Sequence, residues 1–401
     1  MSPHLSAEQR VLHDDLAEFG RGLGGDLVER DRTQEFRRAD WVACARQGVL
    51  GLGVPSRYGG AGHPAVTCAG AMEGLGLGCR DNGLLIALGA HMWAVQFPIL
   101  TFGTESQRQG LLPPLIDGRM IGAHAITEAG SGSDAMSMAA TARRDGDGYV
   151  LNGTKRFITN APVADVFVVY ANLNPRLGFT GVTAFLVERN RPGLTVRNGQ
   201  ERAGLRTAPW GELVLDECRV PADNRLGAEK QGSAVFAATM AWERALILAP
   251  MLGMMRRQHE TAVAHVRSRR QFGQIIGRFQ AVADSVVDAW IRLETARLLT
   301  YQAAADLDEG ISSALPELVN LEISEAAVQS SLTTMKLLGG LGYTKEAQVE
   351  RNLRDALGTR ISSGTSEMLS VVIAAKLGLH QPLPAGEAPP TIEESAHAHA
   401  H

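Results

Sequence analysis

The chain has 401 residues, 45% hydrophobic and 20% charged, with a formal net charge of −4. That length exceeds one ordinary core and predicts two or three packed units. The mild acidity gives no electrostatic case for nucleic acid, and no apolar run reaches the roughly 18 residues of a membrane-spanning helix. Four cysteines (Cys44, Cys68, Cys79, Cys218) lack metal-ligand spacing, so no metal site and buried or free thiols in a reducing compartment are expected. Met1–Leu5 shows no charged start followed by an apolar stretch, which predicts a cytoplasmic address.

Residues 1–120 read as helical. Val11, Leu12, Leu16 and Phe19 recur at near-helical spacing among Glu8, Arg10, Asp14, Asp15 and Glu18. Breakers at Gly51-Leu-Gly-Val-Pro55 and Tyr58-Gly-Gly-Ala-Gly62 divide the region. The apolar stretch from Asn82 to Leu100 predicts a buried helix interrupted at Pro98. Between 121 and 232 the chain turns to short β-rich runs, Tyr149–Leu151, Val166–Tyr170, Val182–Val187 and Glu212–Leu215, as expected of an antiparallel sheet domain. From 233 to 380 amphipathic helices return, over 233–268, 277–308 and 315–337, the first kinked at Pro250. Residues 381–401 are Pro-rich and end in His397-Ala-His399-Ala-His401, a polar tail expected to be disordered. The order is α+β, with domains 1–120, 121–232 and 233–380 followed by the tail. Neither βαβ units nor a Gly-x-Gly-x-x-Gly turn after a strand is present, which argues against a Rossmann fold.

Two segments carry candidate chemistry. In Ala125-Ile126-Thr127-Glu128-Ala-Gly130-Ser131-Gly132-Ser133-Asp134, small residues let backbone amides approach an anion, and Thr127 and Ser133 add hydroxyl donors. Alone, this is equally a glycine-rich turn. Asn152-Gly153-Thr154-Lys155-Arg156-Phe157-Ile158-Thr159-Asn160 reads alone as a hairpin strand. In this order, with Arg269-Arg270-Gln271-Phe272-Gly273, Phe279-Gln280, Gly339-Gly340-Leu341-Gly342-Tyr343, Arg354-Asp355 and Gly364-Thr365-Ser366-Glu367, they resemble the acyl-CoA dehydrogenase family across nearly the whole chain.

The resemblance implies an N-terminal helical domain, a middle β-domain and a C-terminal four-helix bundle, assembled as a homotetramer with FAD between subunits. It assigns Ile126, Thr127, Gly132, Ser133, Phe157, Ile158 and Thr159 to the flavin and its diphosphate, with Phe157 replacing the tryptophan usual beside the ring. Arg269, Phe272, Gln280, Lys336, Gly339 and Gly340 would reach the FAD of a neighbouring subunit, although Lys336 stands where a glutamine is common. A solvated helix face is the plainer account of Arg269. Thr365, Ser366 and Glu367 would line the adenosine-phosphate side, and Ser133, Arg244, Ser363 and Gly364 the acyl thioester.

Many members carry a catalytic glutamate at the position of Ser363, and a serine hydroxyl is too weak an acid to replace it unaided. The subgroup that includes isovaleryl- and long-chain enzymes keeps the glutamate on the helix before the Arg-x-x-Phe-Gly motif, with a small residue in the loop. Glu243 in Met240-Ala-Trp-Glu-Arg-Ala-Leu246 falls at that helix position. Apolar neighbours would raise its pKa towards neutrality, as suits a general base. The plainer account is an ion pair with Arg244 or a solvated face. Met240–Ile247, Leu252–Arg256, Gly76–Asp81, His91 and Asn160–Asp165 are further similar to flavoproteins acting on carrier-protein-bound substrates, prolyl-carrier-protein dehydrogenases among them. His91 would face the acyl pocket or be a satisfied core histidine, and Trp210 would reshape the thioester entrance. The resulting expectation is an FAD-dependent acyl-thioester dehydrogenase on carrier protein or CoA, passing electrons to an electron-transfer flavoprotein or oxygen. An oxidase or monooxygenase of the same fold, and a non-enzymatic scaffold, are the competing readings.

Overall fold

Helices α1 (Ala7–Arg21), α2 (Leu27–Thr33), α3 (Arg38–Arg46), α4 (Ala65–Gly78), α5 (Asn82–His91), α6 (Phe97–Phe102) and α7 (Glu105–Ile116) form the first part of the computed structural model, which describes residues 5–379. The tail expected to be disordered over 381–401 lies outside the described residues. Ser6 opens α1 with a reciprocal cap: its hydroxyl accepts from the Gln9 amide (3.2 Å), and Gln9 Oε1 accepts from the Ser6 amide (2.8 Å). Helices α4 and α5 are apolar around their whole circumference and buried on nearly every side.

Pro98 does not interrupt its helix as the sequence predicts. The helical course runs from Asn82 to Phe102 through one π-helical turn, Met92–Gln96. Pro98 follows directly on that turn, which the Phe97 amide closes onto the Met92 carbonyl, so the bond Pro98 cannot donate falls where the helical ladder changes register. This 21-residue stretch and the 37 residues Gly232–Ser268 are long and apolar enough to cross a membrane, which corrects the expectation that no such run exists. Their most apolar windows are 83% and 67% buried inside the fold, so packing against neighbouring helices accounts for the composition.

The sheet comprises β1 (Gly122–Ala125), β2 (Thr141–Asp145), β3 (Gly148–Thr159), β4 (Val166–Asn172), β5 (Val182–Glu188), β6 (Leu194–Asn198), β7 (Trp210–Pro221) and β8 (Arg225–Leu226). The order is β6-β7-β3-β2-β4-β5-β8, with β1 also beside β4. It is not purely antiparallel: β1 pairs parallel with β4, and β2 meets β4 parallel at Thr141 and Asn172. Strand β2 runs in the same direction as β1, and β3 carries the chain back antiparallel to both, so that β4, after one further reversal, runs parallel beside β1. Buried along its whole length, β4 shows why its Val-Phe-Val-Val-Tyr run does not alternate.

Helices α8 (Gly232–Leu246) and α9 (Ala249–Ser268) divide at Ile247-Leu248, just before Pro250. A two-strand hairpin, β9 (Arg270–Gln271) and β10 (Gln274–Ile275), leads into α10 (Gln280–Glu309), α11 (Leu315–Leu338), α12 (Val349–Thr359) and α13 (Ser366–Lys376). The N-terminal helices lock onto this bundle where α4 crosses α9. A methyl added at Gly253 would lie 2.1 Å from the Leu77 amide, and one at Gly76 would lie 2.1 Å from the Pro250 carbonyl. Although alanine is the better helix former, Gly253→Ala should destabilise the fold by about 1–3 kcal/mol through overpacking. A lower denaturant midpoint at unchanged m-value would show it.

Candidate active site

Glu243 sits in the last turn of α8 and is only 8% exposed. The Ser363 hydroxyl, on the loop between α12 and α13, donates to Glu243 Oε1. Glu243 Oε2 is buried with no hydrogen-bond partner among the described residues. Burial pushes this carboxyl above its ordinary pKa, opposed by the Ser363 hydrogen bond and then by the nearby Arg244 charge. Arg244 is nevertheless committed elsewhere. Its Nε donates to the Ser363 carbonyl (2.9 Å) and its Nη1 to Glu317 Oε1 (3.0 Å) on α11. Glu317 also holds Lys376 of α13 (2.7 Å). The ion pair between Glu243 and Arg244 weighed from the sequence is not formed. Ser363 takes a left-handed backbone (φ 57°), and Gly364 follows at φ 112°.

The loop after β1 is built round a second buried carboxylate. Glu128 accepts from the Ala139 amide (2.7 Å), the Ala140 amide (3.0 Å) and Lys155 Nζ (2.7 Å). Lys155 is fully buried and also donates to the Ile126 carbonyl (3.1 Å). The neighbouring Arg156 amide donates to the Thr127 carbonyl (2.8 Å), so β3 is tied to the 126–134 loop at two adjacent residues. The hydroxyls of Thr127, Ser133 and Thr159 have no hydrogen-bond partner among the described residues, and a Cβ added at Gly130 or Gly132 would meet open space. Ile158 is buried inward, whereas Phe157 lies in a β-bulge at φ 60° and is 48% exposed. Its ring lies 5.4 Å from Trp210, with Arg156 over Phe157 (5.4 Å) and Arg202 over Trp210 (4.9 Å). This exposed aromatic surface, unpaired hydroxyls and open glycine turn fit the planar ring and phosphates of a dinucleotide.

The remaining candidates fall in two other places. Arg269 closes α9 with a guanidinium unpaired among the described residues, Phe272 is 92% exposed at the hairpin tip, and Gln280 bonds Asp284 (2.7 Å). Val266, Ile276 and Leu337 form a small cluster that holds this hairpin against the end of α11, where Lys336, Gly339 and Gly340 are exposed. Among the described residues, none of these six bonds to the Glu243 group. Thr365 caps α13 by accepting from the Met368 amide (3.2 Å), and Ser366 donates to Glu325 (2.8 Å). Glu367 is exposed in the first turn. His91 is a satisfied core histidine: its Nδ1 accepts from the Gly122 amide (2.9 Å), its Nε2 bonds the Leu115 carbonyl (3.1 Å), and burial pushes it down to about 3.

Glu128 and Lys155 lie inside the two motif segments, and the sequence motifs alone assign neither a role. The signal was the strand's two-residue period, which puts Lys155 in phase with buried Leu151 and so requires a buried partner for its charge.

Residues 6–119, 123–218 and 230–378 match the N-terminal, middle and C-terminal domains of acyl-CoA dehydrogenase. The chain belongs to the acyl-CoA dehydrogenase family. It is 44% identical over 378 residues to an L-prolyl-(peptidyl-carrier protein) dehydrogenase of Pseudomonas fluorescens, covering 94% of this chain and 97% of that protein. The human short-chain specific acyl-CoA dehydrogenase is 37% identical, over 86% of this chain and 84% of its own length. The prolyl acyl carrier protein oxidase AnaB superposes with a TM-score of 0.92 at 42% identity, over 93% of this chain and all of AnaB. PigA, solved with FAD and proline, superposes with a TM-score of 0.92 at 37% identity, over 95% of this chain and all of PigA.

Lys155→Ala should leave Glu128 buried without its counter-charge and cost about 3–5 kcal/mol. Thermal unfolding would report a large fall in Tm, accompanied by loss of bound flavin from the purified protein.

Proposed function

We propose that this protein is an FAD-dependent dehydrogenase that desaturates an acyl thioester between its α and β carbons, with prolyl or a related aminoacyl group on a carrier protein as substrate. The observation that carries this reading is the bare, buried Oε2 of Glu243. A carboxylate with one oxygen held and the other unpartnered, in an apolar setting, is a proton acceptor waiting for a C–H acid. The names of the prolyl-carrier-protein relatives support the acyl group and its carrier. An acyl-CoA is the alternative thioester.

Glu243 Oε2 takes the α-proton, and the electron pair of that C–H bond becomes the second bond between the α and β carbons. Bound FAD supplies the acceptor for the hydride that leaves the β-carbon. Thr127, Ser133 and Thr159 would offer their free hydroxyls to the flavin and its phosphates, and Phe157, backed by Trp210, would lie against its ring. Ser133, Arg244, Ser363 and Gly364 border the thioester. Arg269, Phe272, Gln280, Lys336, Gly339 and Gly340 would meet the cofactor of a second subunit. That arrangement requires a second copy of the chain, and in the proposed homotetramer the exposed Val287, Trp290, Ile291 and Leu298 of α10 offer an apolar face for it. Thr365, Ser366 and Glu367 would flank the adenosine end. Electrons pass on to an electron-transfer flavoprotein or to oxygen; the AnaB oxidase, at 42% identity, favours oxygen.

Glu243→Gln should abolish anaerobic bleaching of the flavin by prolyl thioester, presented on carrier protein and on CoA in parallel. Retained bleaching would remove Glu243 as the base. In the unaltered protein the rate should rise with pH through a midpoint above the usual carboxylate range, because the base acts only when ionised. The same raised pKa has a stability consequence. The unfolded chain releases this proton at lower pH than the folded one, so stability is lost as pH rises from the unfolded value through the folded value. Glutamine does not titrate, so above that range Glu243→Gln should raise stability by about 0.5–2 kcal/mol, read as a higher Tm.

A further inference from the structure

We propose that Ser363 is a positioning residue for the base: its hydroxyl engages one oxygen of Glu243, aims the other at the substrate, and sets the pH at which the base becomes active. This rests on the proposed role of Glu243.

A merely small residue in this loop would leave room for Glu243 and do nothing more. Ser363 does two further things. Its hydroxyl donates to Oε1, so the carboxylate cannot turn freely about its terminal bond, and Oε2 alone is left without a partner. Its carbonyl accepts from Arg244 Nε at 2.9 Å, which prevents the loop from drifting off α8. Arg244 is fixed in turn by Glu317 (3.0 Å), and Glu317 by Lys376 (2.7 Å), so α8, α11 and α13 all bear on the placement of one hydroxyl. The left-handed backbone at Ser363 (φ 57°) belongs to this geometry, in which the side chain and the carbonyl of one residue engage neighbouring residues of the same helix.

The electrostatic surroundings leave Ser363 as the main group favouring ionisation. Arg244 on α8 contributes its charge, but its hydrogen bonds go to Ser363 and Glu317. Glu317 on α11 is paired with Arg244 and Lys376, and Lys376 of α13 reaches Glu317 and the Ser313 carbonyl. Tyr170 on β4 is buried, senses the Glu243 charge, and is itself pushed up by burial. Of the forces that oppose desolvation at Glu243, the Ser363 hydrogen bond is the largest. A neutral carboxyl needs no donor at Oε1, whereas the carboxylate gains from one. Removing the donor therefore favours the protonated, inactive form.

The test uses the FAD-loaded protein with Ser363→Ala and Ser363→Gly; glycine tolerates the left-handed backbone without strain. Anaerobic flavin reduction by prolyl carrier protein would be followed against pH. The midpoint should move to higher pH in both variants. Well below it the rate should fall about tenfold, the worth of one charge-assisted hydrogen bond, and the deficit should shrink at high pH. A second measurement needs no substrate: infrared difference spectra across the titration, with Glu243→Gln identifying the carboxyl band. That band should persist to higher pH in both Ser363 variants. An unmoved or lowered midpoint or band, or a loss of rate equal at every pH, would overturn the proposal. Full flavin reduction by Glu243→Gln would instead sink the assignment of the base itself.

Discussion

A carboxylate withdrawn from water must either be fully hydrogen-bonded or be pushed towards its neutral form, and this protein uses both solutions. Glu128 is given two backbone amides and a lysine, and the loop it organises becomes a fixed part of the sheet domain. Glu243 is given one serine hydroxyl and left with a bare oxygen. The first arrangement fixes the loop proposed to hold the cofactor. The second fits the proton acceptor proposed at Glu243, with reactivity held at some expense of stability.

The helices around Glu243 explain how such a group is tolerated. The α8–α9 break lies a few residues beyond it, and α4 packs so tightly on α9 that Gly76 and Gly253 admit no side chain. Arg244, the nearest positive charge, is drawn to Glu317 and the Ser363 carbonyl. Had Arg244 instead closed on Glu243, the carboxylate would have been stabilised in its ionised form and its proton affinity lowered.

Much of the fold was legible in the sequence because it rests on local periodicity. The helix–sheet–helix order, the strands at Val166–Asn172 and Val182–Glu188, and the break before Pro250 follow from patterns within a few residues. The departures came where a tertiary or backbone feature overrode a local rule. A π turn absorbed Pro98, burial explained two helices apolar enough to span a membrane, and the return of the chain along β3 let β4 pair parallel with β1. In the site, motif order drew attention to the segments around Thr127, Phe157 and Arg269. Lys155 was passed over because a lysine in a strand reads as solvent-facing unless the strand's phase is followed to its buried side.

By itself the sequence determined the order of elements, the membership of the segments in one family pattern, and the pairing of a candidate glutamate on a helix with a small loop residue downstream. Only the tertiary structure decided what that pairing is. Glu243 and Ser363 stand 120 residues apart, and Arg244 and Glu317 stand 73 apart. No periodicity links positions so distant, since their contact depends on how α8, α11 and the loop before α13 pack. Whether Glu243 would meet an arginine, water or a hydroxyl was set by that packing, and with it the chemistry the carboxylate can perform.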